Sequence, residues 1–216
     1  MLKIFFLFIL ITSFSNLLAQ SDSASNVANS FNIDSLKTIY GKHKQLLKEY
    51  EAVSIIALSH YPELLNEDIQ FKFSSINSTA RTTVTFISVF KKIDKQYIIY
   101  INDDIESTGL LLNEAPFDAQ VALIGHELAH VADFKRRSFL NMAFWGLGYL
   151  FVKQRAKIEK SADKATIRHH LGWQLYHWAN FVANYSNTNT SYLKMRRSKY
   201  LLPGEILRYM KENELH

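Results

Sequence analysis

The apolar positions of this chain change period along its length, and the changes mark out the elements. Over residues 33–50, Leu36, Ile39, Tyr40, Leu46, Leu47 and Tyr50 recur at helical spacing, which predicts one helix with His43 packed on its stripe. Residues 53–58 are apolar but too short to assign to helix or strand, and Pro62 closes the segment. Ile69, Phe71 and Phe73 then alternate with Gln70, Lys72 and Ser74, the pattern of a half-buried strand. Residues 83–90 (TVTFISVF) and 96–102 (QYIIYIN) are rich in β-branched and aromatic side chains and read as two more strands, with 91–95 as a hairpin loop. Past Asn102 the period becomes helical, and 117–134 reads as a single helix. The stretch around Trp173, Tyr176, Trp178 and Phe181 reads as core, with His177 packed inside it. With no internal repeat and no second boundary, these elements predict one α+β domain over 33–216, mainly helical, with a small antiparallel-containing sheet preceding the helix at 117–134.

Composition narrows the chemistry. Hydrophobic residues at 48% and charged residues at 21% supply a core and exclude a disordered chain, and 7 Gly and 3 Pro exclude collagen-like and Pro-rich architectures. The net charge of +5 is too small and too scattered to point to nucleic acid as a partner. Cys is 0, so disulfides, thiolate metal sites and cysteine nucleophiles are all excluded, and any metal has to rest on His and carboxylates. Residues 1–19 place one cation, Lys3, before an uncharged apolar stretch and end on small Ala19, the pattern of a signal peptide cleaved after that residue. Thr12, Ser13, Ser15 and Asn16 weaken a bilayer-spanning reading of the same stretch. An exported protein of the periplasm, cell envelope or exterior is expected, with 20–32 (QSDSASNVANSFN) as a flexible lead-in.

The helix at 117–134 carries the pattern HExxH as His126-Glu127-Leu128-Ala129-His130. A helix turns once in 3.6 residues, so His126 and His130 stand on one face and both imidazoles reach one Zn²⁺. Glu127 points to a neighbouring face, close enough to touch a water beside the metal without binding the metal. Two His leave a metal poorly held, and a third ligand is needed for a catalytic site. No His follows at short spacing, since 131–136 reads VADFKR and the next is His169. Further on, Glu159 and Asp163 lie four residues apart on one face of a second helix, with small Ala162 and Ala165 beside them. Glu159 suits the third ligand, and Asp163 suits an outer carboxylate that accepts an N–H from a ligand histidine; a solvated Glu/Lys-rich helix is the alternative reading of the same spacing.

This order of motifs resembles the gluzincin metallopeptidases of the HtpX and CAAX-prenyl-protease group. There a strand, a Gly-Leu-Leu turn and the HExxH helix precede a Glu-x-x-Ala-Asp motif; here they are the strand at 97–102, Gly109-Leu110-Leu111, His126 to His130, and Glu159-x-x-Ala162-Asp163. The resemblance covers about residues 96–170. It implies a zincin-like fold, zinc ligands His126, His130 and Glu159, Glu127 as general base and Asp163 behind the ligands. A weaker echo is Leu202-Pro203 followed by Arg208, where the group often carries His-Pro and then Arg. Leu202 in place of that His leaves the transition-state stabiliser open among Tyr200, Arg208, His169 and His170. Full members carry several membrane helices; this chain has only 138–152 (SFLNMAFWGLGYLFV), uncharged and flanked by basic residues. That stretch suits a buried helix, a wall of the cleft, or peripheral contact with a membrane surface. The expected activity is zinc-dependent hydrolysis of protein or peptide substrates, laid along the edge of the strand ending near Asn102. The alternative is a non-catalytic, zinc-stabilised envelope protein that binds a partner or a membrane.

Overall fold

In the computed structural model, residues 32–85, 95–104, 110–138, 141, 151–185 and 190–215 are described. The leader expected at 1–19, most of the expected lead-in, residues 86–90 of the strand expected over 83–90, the loop at 91–94, Gly109 and nearly all of 138–152 lie outside them; of that last stretch, Phe151 and Val152 are both 69% exposed. Among the described residues no helix is long and apolar enough to cross a membrane.

The helix expected over 33–50 stops early. Helix α1 covers Ile33–Tyr40, begun by Asn32, whose side chain accepts from the Ser35 amide, and ended at Gly41. A Cβ at position 41 would meet the Lys37 carbonyl at 2.5 Å, so glycine fits this turn. His43 follows with φ 60, exposed, its ring 3.6 Å from the Asp68 carboxylate, and so it is not on a helical stripe. Strand β1 (Lys44–Gln45) and a 3₁₀ turn (Lys48–Tyr50) lead into α2 (Glu51–Ser59). Residues 53–58 of α2 are buried without exception, which removes the amphipathic period that would have marked them as helical.

Strands β2 (Asp68–Phe73), β3 (Ala80–Val84) and β4 (Gln96–Ile101) complete a mixed sheet in the order β1-β2-β4-β3. β1, β2 and β4 run parallel, and β3 pairs antiparallel with β4. Ile69 and Phe71 face the core as their alternation predicts, but Phe73 is 40% exposed at the strand end, edge-on to Tyr50. β3 starts earlier than the expected 83–90, and Ala80, Arg81 and Thr82 belong to it. β4 is central, paired on both sides, so no substrate can add along it; among the described residues the edge strand on that side is β3.

Helix α3 (Phe117–Arg136) follows and packs against α2, β3, α4 (Val152–Thr166) and α5 (Gly172–Asn184). Its first turn holds Asp118 and its last Lys135 and Arg136, matching the helix dipole. Lys95 donates to the carbonyls of Phe134, Lys135 and Arg137 and closes the C-terminal end. α6 (Thr190–Lys199) and α7 (Pro203–Glu212) complete the described chain. Trp178 is core, but Trp173 is half-exposed, and His177 faces solvent 3.3 Å from Asp118 rather than packing.

Between α4 and α5 the helix kinks at residues Ile167–Leu171, where His170 takes φ 61 and ψ 27. The left-handed region costs an L side chain roughly 1–2 kcal/mol. The His170 side chain is exposed, so little contact is lost by removing it. His170→Gly is expected to stabilise the fold by about 0.5–1 kcal/mol, a rise of roughly 1–4 °C in Tm by calorimetry.

Candidate metal centre

α3 is the central helix of the fold. From Ala119 to Phe134 it buries nearly every side chain, and the charged pattern HExxH sits in the middle of that stretch. Two contacts fix the backbone just before it. The Tyr61 hydroxyl, fully buried, donates to the Gly125 carbonyl at 2.7 Å, and the kink after α4 closes on Gly125 so tightly that a Cβ there would lie 2.5 Å from Leu171. His126, Glu127 and His130 are 4%, 5% and 8% exposed, and Glu159 and Asp163, one turn apart on α4, are 3% and 2%. Five ionisable side chains this deep need partners, because an uncompensated buried charge is expensive.

Four of them, His126, His130, Glu159 and Asp163, are each other's partners. The His126 Nδ1–H donates to Asp163 Oδ1 at 2.8 Å, since an ionised carboxylate can only accept. The Leu201 amide donates to Asp163 Oδ2, also at 2.8 Å, so both oxygens of that carboxylate are used and the His126 ring is held in one orientation. The Nε2 of His126 then lies 3.2 Å from Glu159 Oε2 and 3.2 Å from the Nε2 of His130, which is 3.4 Å from the same Glu159 oxygen. Ligands at 2.0–2.1 Å around a tetrahedral ion stand about 3.3–3.4 Å apart. The triangle His126–His130–Glu159 therefore already has the dimensions of three corners of such a polyhedron. These three residues make a cluster that fits a divalent metal ion through two nitrogen donors and one oxygen donor.

The electrostatics point the same way. Burial pulls the His126 imidazole down, but the hydrogen bonds to Asp163 and Glu159, with their charges, outweigh it and raise its pKa to about 10. For Glu159, burial pushes upward, and the hydrogen bonds and charges of His126 and His130 reverse this, holding the carboxyl well below the usual range. The site calls for positive charge at its centre. A proton on His126 supplies it in the metal-free chain; a bound divalent ion supplies it with both imidazoles neutral.

Glu127 stands apart from the ligand triangle. Its Oε2 accepts from the Thr82 hydroxyl at 2.6 Å, and Thr82 also approaches the Glu127 carbonyl at 3.1 Å, tying β3 to the motif helix. A cleft of about 350 Å³ opens here, lined by Thr82, Glu127, His130, Glu159 and Tyr200. The Tyr200 ring lies 5.7 Å from that of His126, and the Arg196 guanidinium sits 3.7 Å over the Tyr200 ring centre.

Of the sequence-predicted residues, the fold brings together His126, Glu127, His130, Glu159, Asp163 and Tyr200. Arg208 is not among them. α7 turns Ile206 and Met210 inward, and Arg208, two residues from each, points to solvent 3.9 Å from Glu212. His169 is stacked on Tyr61 and bonded to Glu63, His170 is exposed at the kink, and neither lines the cleft. Thr82 and the Leu201 amide were not predicted. Thr82 lies in a run of similar residues with nothing to show which one meets Glu127, and a backbone amide leaves no mark in the sequence.

Comparison with protein-family models, with curated proteins and with solved structures gives no match, so the function has to be read from these residues.

Proposed function

We propose that the chain is a zinc-dependent endopeptidase with a zincin-like fold, its zinc held by His126, His130 and Glu159. The reading is carried by one observation: two corners of the ligand triangle, His130 and Glu159, and a carboxylate outside it, Glu127, line one cleft beneath β3. The motif order's resemblance to the HtpX and CAAX-prenyl-protease gluzincins supports it, as does the Asp163 carboxylate behind His126. Bound at these residues, zinc would acidify water and polarise a carbonyl group.

The chain's own side chains perform the remaining work. An extended peptide adds along β3, using main-chain groups not taken by β4, which brings its scissile carbonyl over the cleft. Glu127, oriented by Thr82, takes a proton from the attacking water as the new C–O bond forms. It passes that proton to the amine as the C–N bond breaks. Tyr200, which lines the cleft, donates to the carbonyl oxygen as charge develops on it. A leader at 1–19 would put this activity outside the cytoplasm.

The test is hydrolysis of casein-type substrates by the purified mature chain. Cleavage that stops when a chelator strips the metal and returns with stoichiometric Zn²⁺ is expected. Zinc bound one to one without cleavage of any peptide would move the reading to the non-catalytic, zinc-stabilised protein.

A further inference from the structure

A second hollow of about 220 Å³ shares His130 with the cleft as a common wall and runs from there between α3 and α4. It exists because the two helices face each other here through Ala129, Ala162 and Ala165, too small to fill the space between them. Its rim is cationic. Arg136 and Arg137 come from the end of α3, Lys157 from α4 and Arg168 from just past it, against a single carboxylate, Asp133.

Asp133 is already engaged by Arg137 at 2.7 Å and by Arg136 at 3.9 Å. Arg168 donates to the Tyr209 hydroxyl, and neither it nor Lys157 has a carboxylate partner among the described residues. Lys157, Ser161, Ala165 and Arg168 fall at helical spacing along one stripe of the hollow's wall. Lys157 and Arg168 are thus about 16 Å apart along the axis, the span of about five residues of extended chain.

From this we infer that the hollow is the substrate's acid-binding subsite: the enzyme prefers peptides carrying Asp or Glu a few residues from the scissile bond. The inference rests on the peptidase reading for the word substrate, and it names the class of peptide which that site would take. A peptide crossing the cleft passes His130 and enters the basic hollow, where Lys157 and Arg168 offer donors not taken by a carboxylate of the chain. An acidic peptide is favoured over an anionic bilayer because the hollow lies between two helices and meets the cleft at His130.

Equilibrium binding separates this from turnover. Fluorescence anisotropy is measured on zinc-loaded Glu127→Gln protein with an Asp/Glu-rich dodecapeptide and its Asn/Gln counterpart. The acidic peptide is expected to bind at least 10-fold more tightly, with a preference that shrinks as salt rises. The double change Lys157→Glu, Arg168→Glu, at two exposed positions, is expected to erase that preference while leaving zinc content, circular dichroism and the neutral peptide's affinity unchanged. Equal binding of the two peptides, no binding of either, or a preference that survives the charge reversal would overturn the subsite. So would capture of phosphatidylglycerol vesicles without a peptide preference. If the preference holds but wild-type protein cleaves neither peptide, the acid-binding hollow stands and the peptidase reading falls.

Discussion

Glu127→Gln is expected to keep a full complement of zinc and to lose turnover by roughly a hundred- to ten-thousand-fold, the range of a general base. The Glu127 carboxylate lies outside the His126–His130–Glu159 triangle, so its charge does not hold the metal. Glutamine has the same shape, and its carbonyl oxygen can still accept from the Thr82 hydroxyl, so the tie between β3 and α3 survives. What disappears is the ability to take a proton. Metal analysis and peptide release measured on the same preparation separate the two effects. Wild-type turnover in Glu127→Gln would remove Glu127 from the mechanism, and zinc loss would make it a ligand.

Glu159→Ala is expected to act on the metal first. It leaves two imidazoles facing an ion with no third protein donor. Affinity should fall by more than the roughly 10–100-fold that follows loss of an outer carboxylate such as Asp163. Metal binding is also folding energy, since a ligand at 1,000 times its Kd adds about 4 kcal/mol. At roughly 2–4 °C per kcal/mol for a chain of this size, the wild type should gain on the order of 10 °C in Tm from zinc, and Glu159→Ala only a small part of that. The affinity should also depend on pH in a definite direction. In the metal-free chain the His126 imidazole holds its extra proton up to about pH 10, so zinc has to displace that proton. Zinc affinity should therefore rise with pH below that value and weaken on acidification. Calorimetric scans with and without zinc at two pH values check both statements.

The motif helix was legible because two signals coincide there, a helical apolar period and a spacing that stacks two imidazoles. Glu159 and Asp163 were legible for a similar reason: four residues of separation put both carboxylates on one face of α4. α2 was not, because a helix buried all round has no polar face to reveal its period. The early end of α1 turned on one glycine, where the apolar spacing continued past the true stop and carried His43 with it. Arg208 was misplaced by its position after Pro203, while the inward side of α7 is set by Ile206 and Met210. The contacts that complete the centre, Thr82 to Glu127 and the Leu201 amide to Asp163, join segments 45 and 38 residues apart. Only the folded chain brings such pairs together.

The most direct measurement is X-ray absorption at the zinc edge on the full chain, combined with metal stoichiometry on the wild type and on Glu159→Ala. One zinc per chain, in a shell containing two imidazole nitrogens and a carboxylate oxygen at about 2.0–2.2 Å, with the carboxylate contribution missing from the variant, is the predicted result. Native protein without stoichiometric metal, or a zinc shell unchanged by the loss of Glu159, would contradict it.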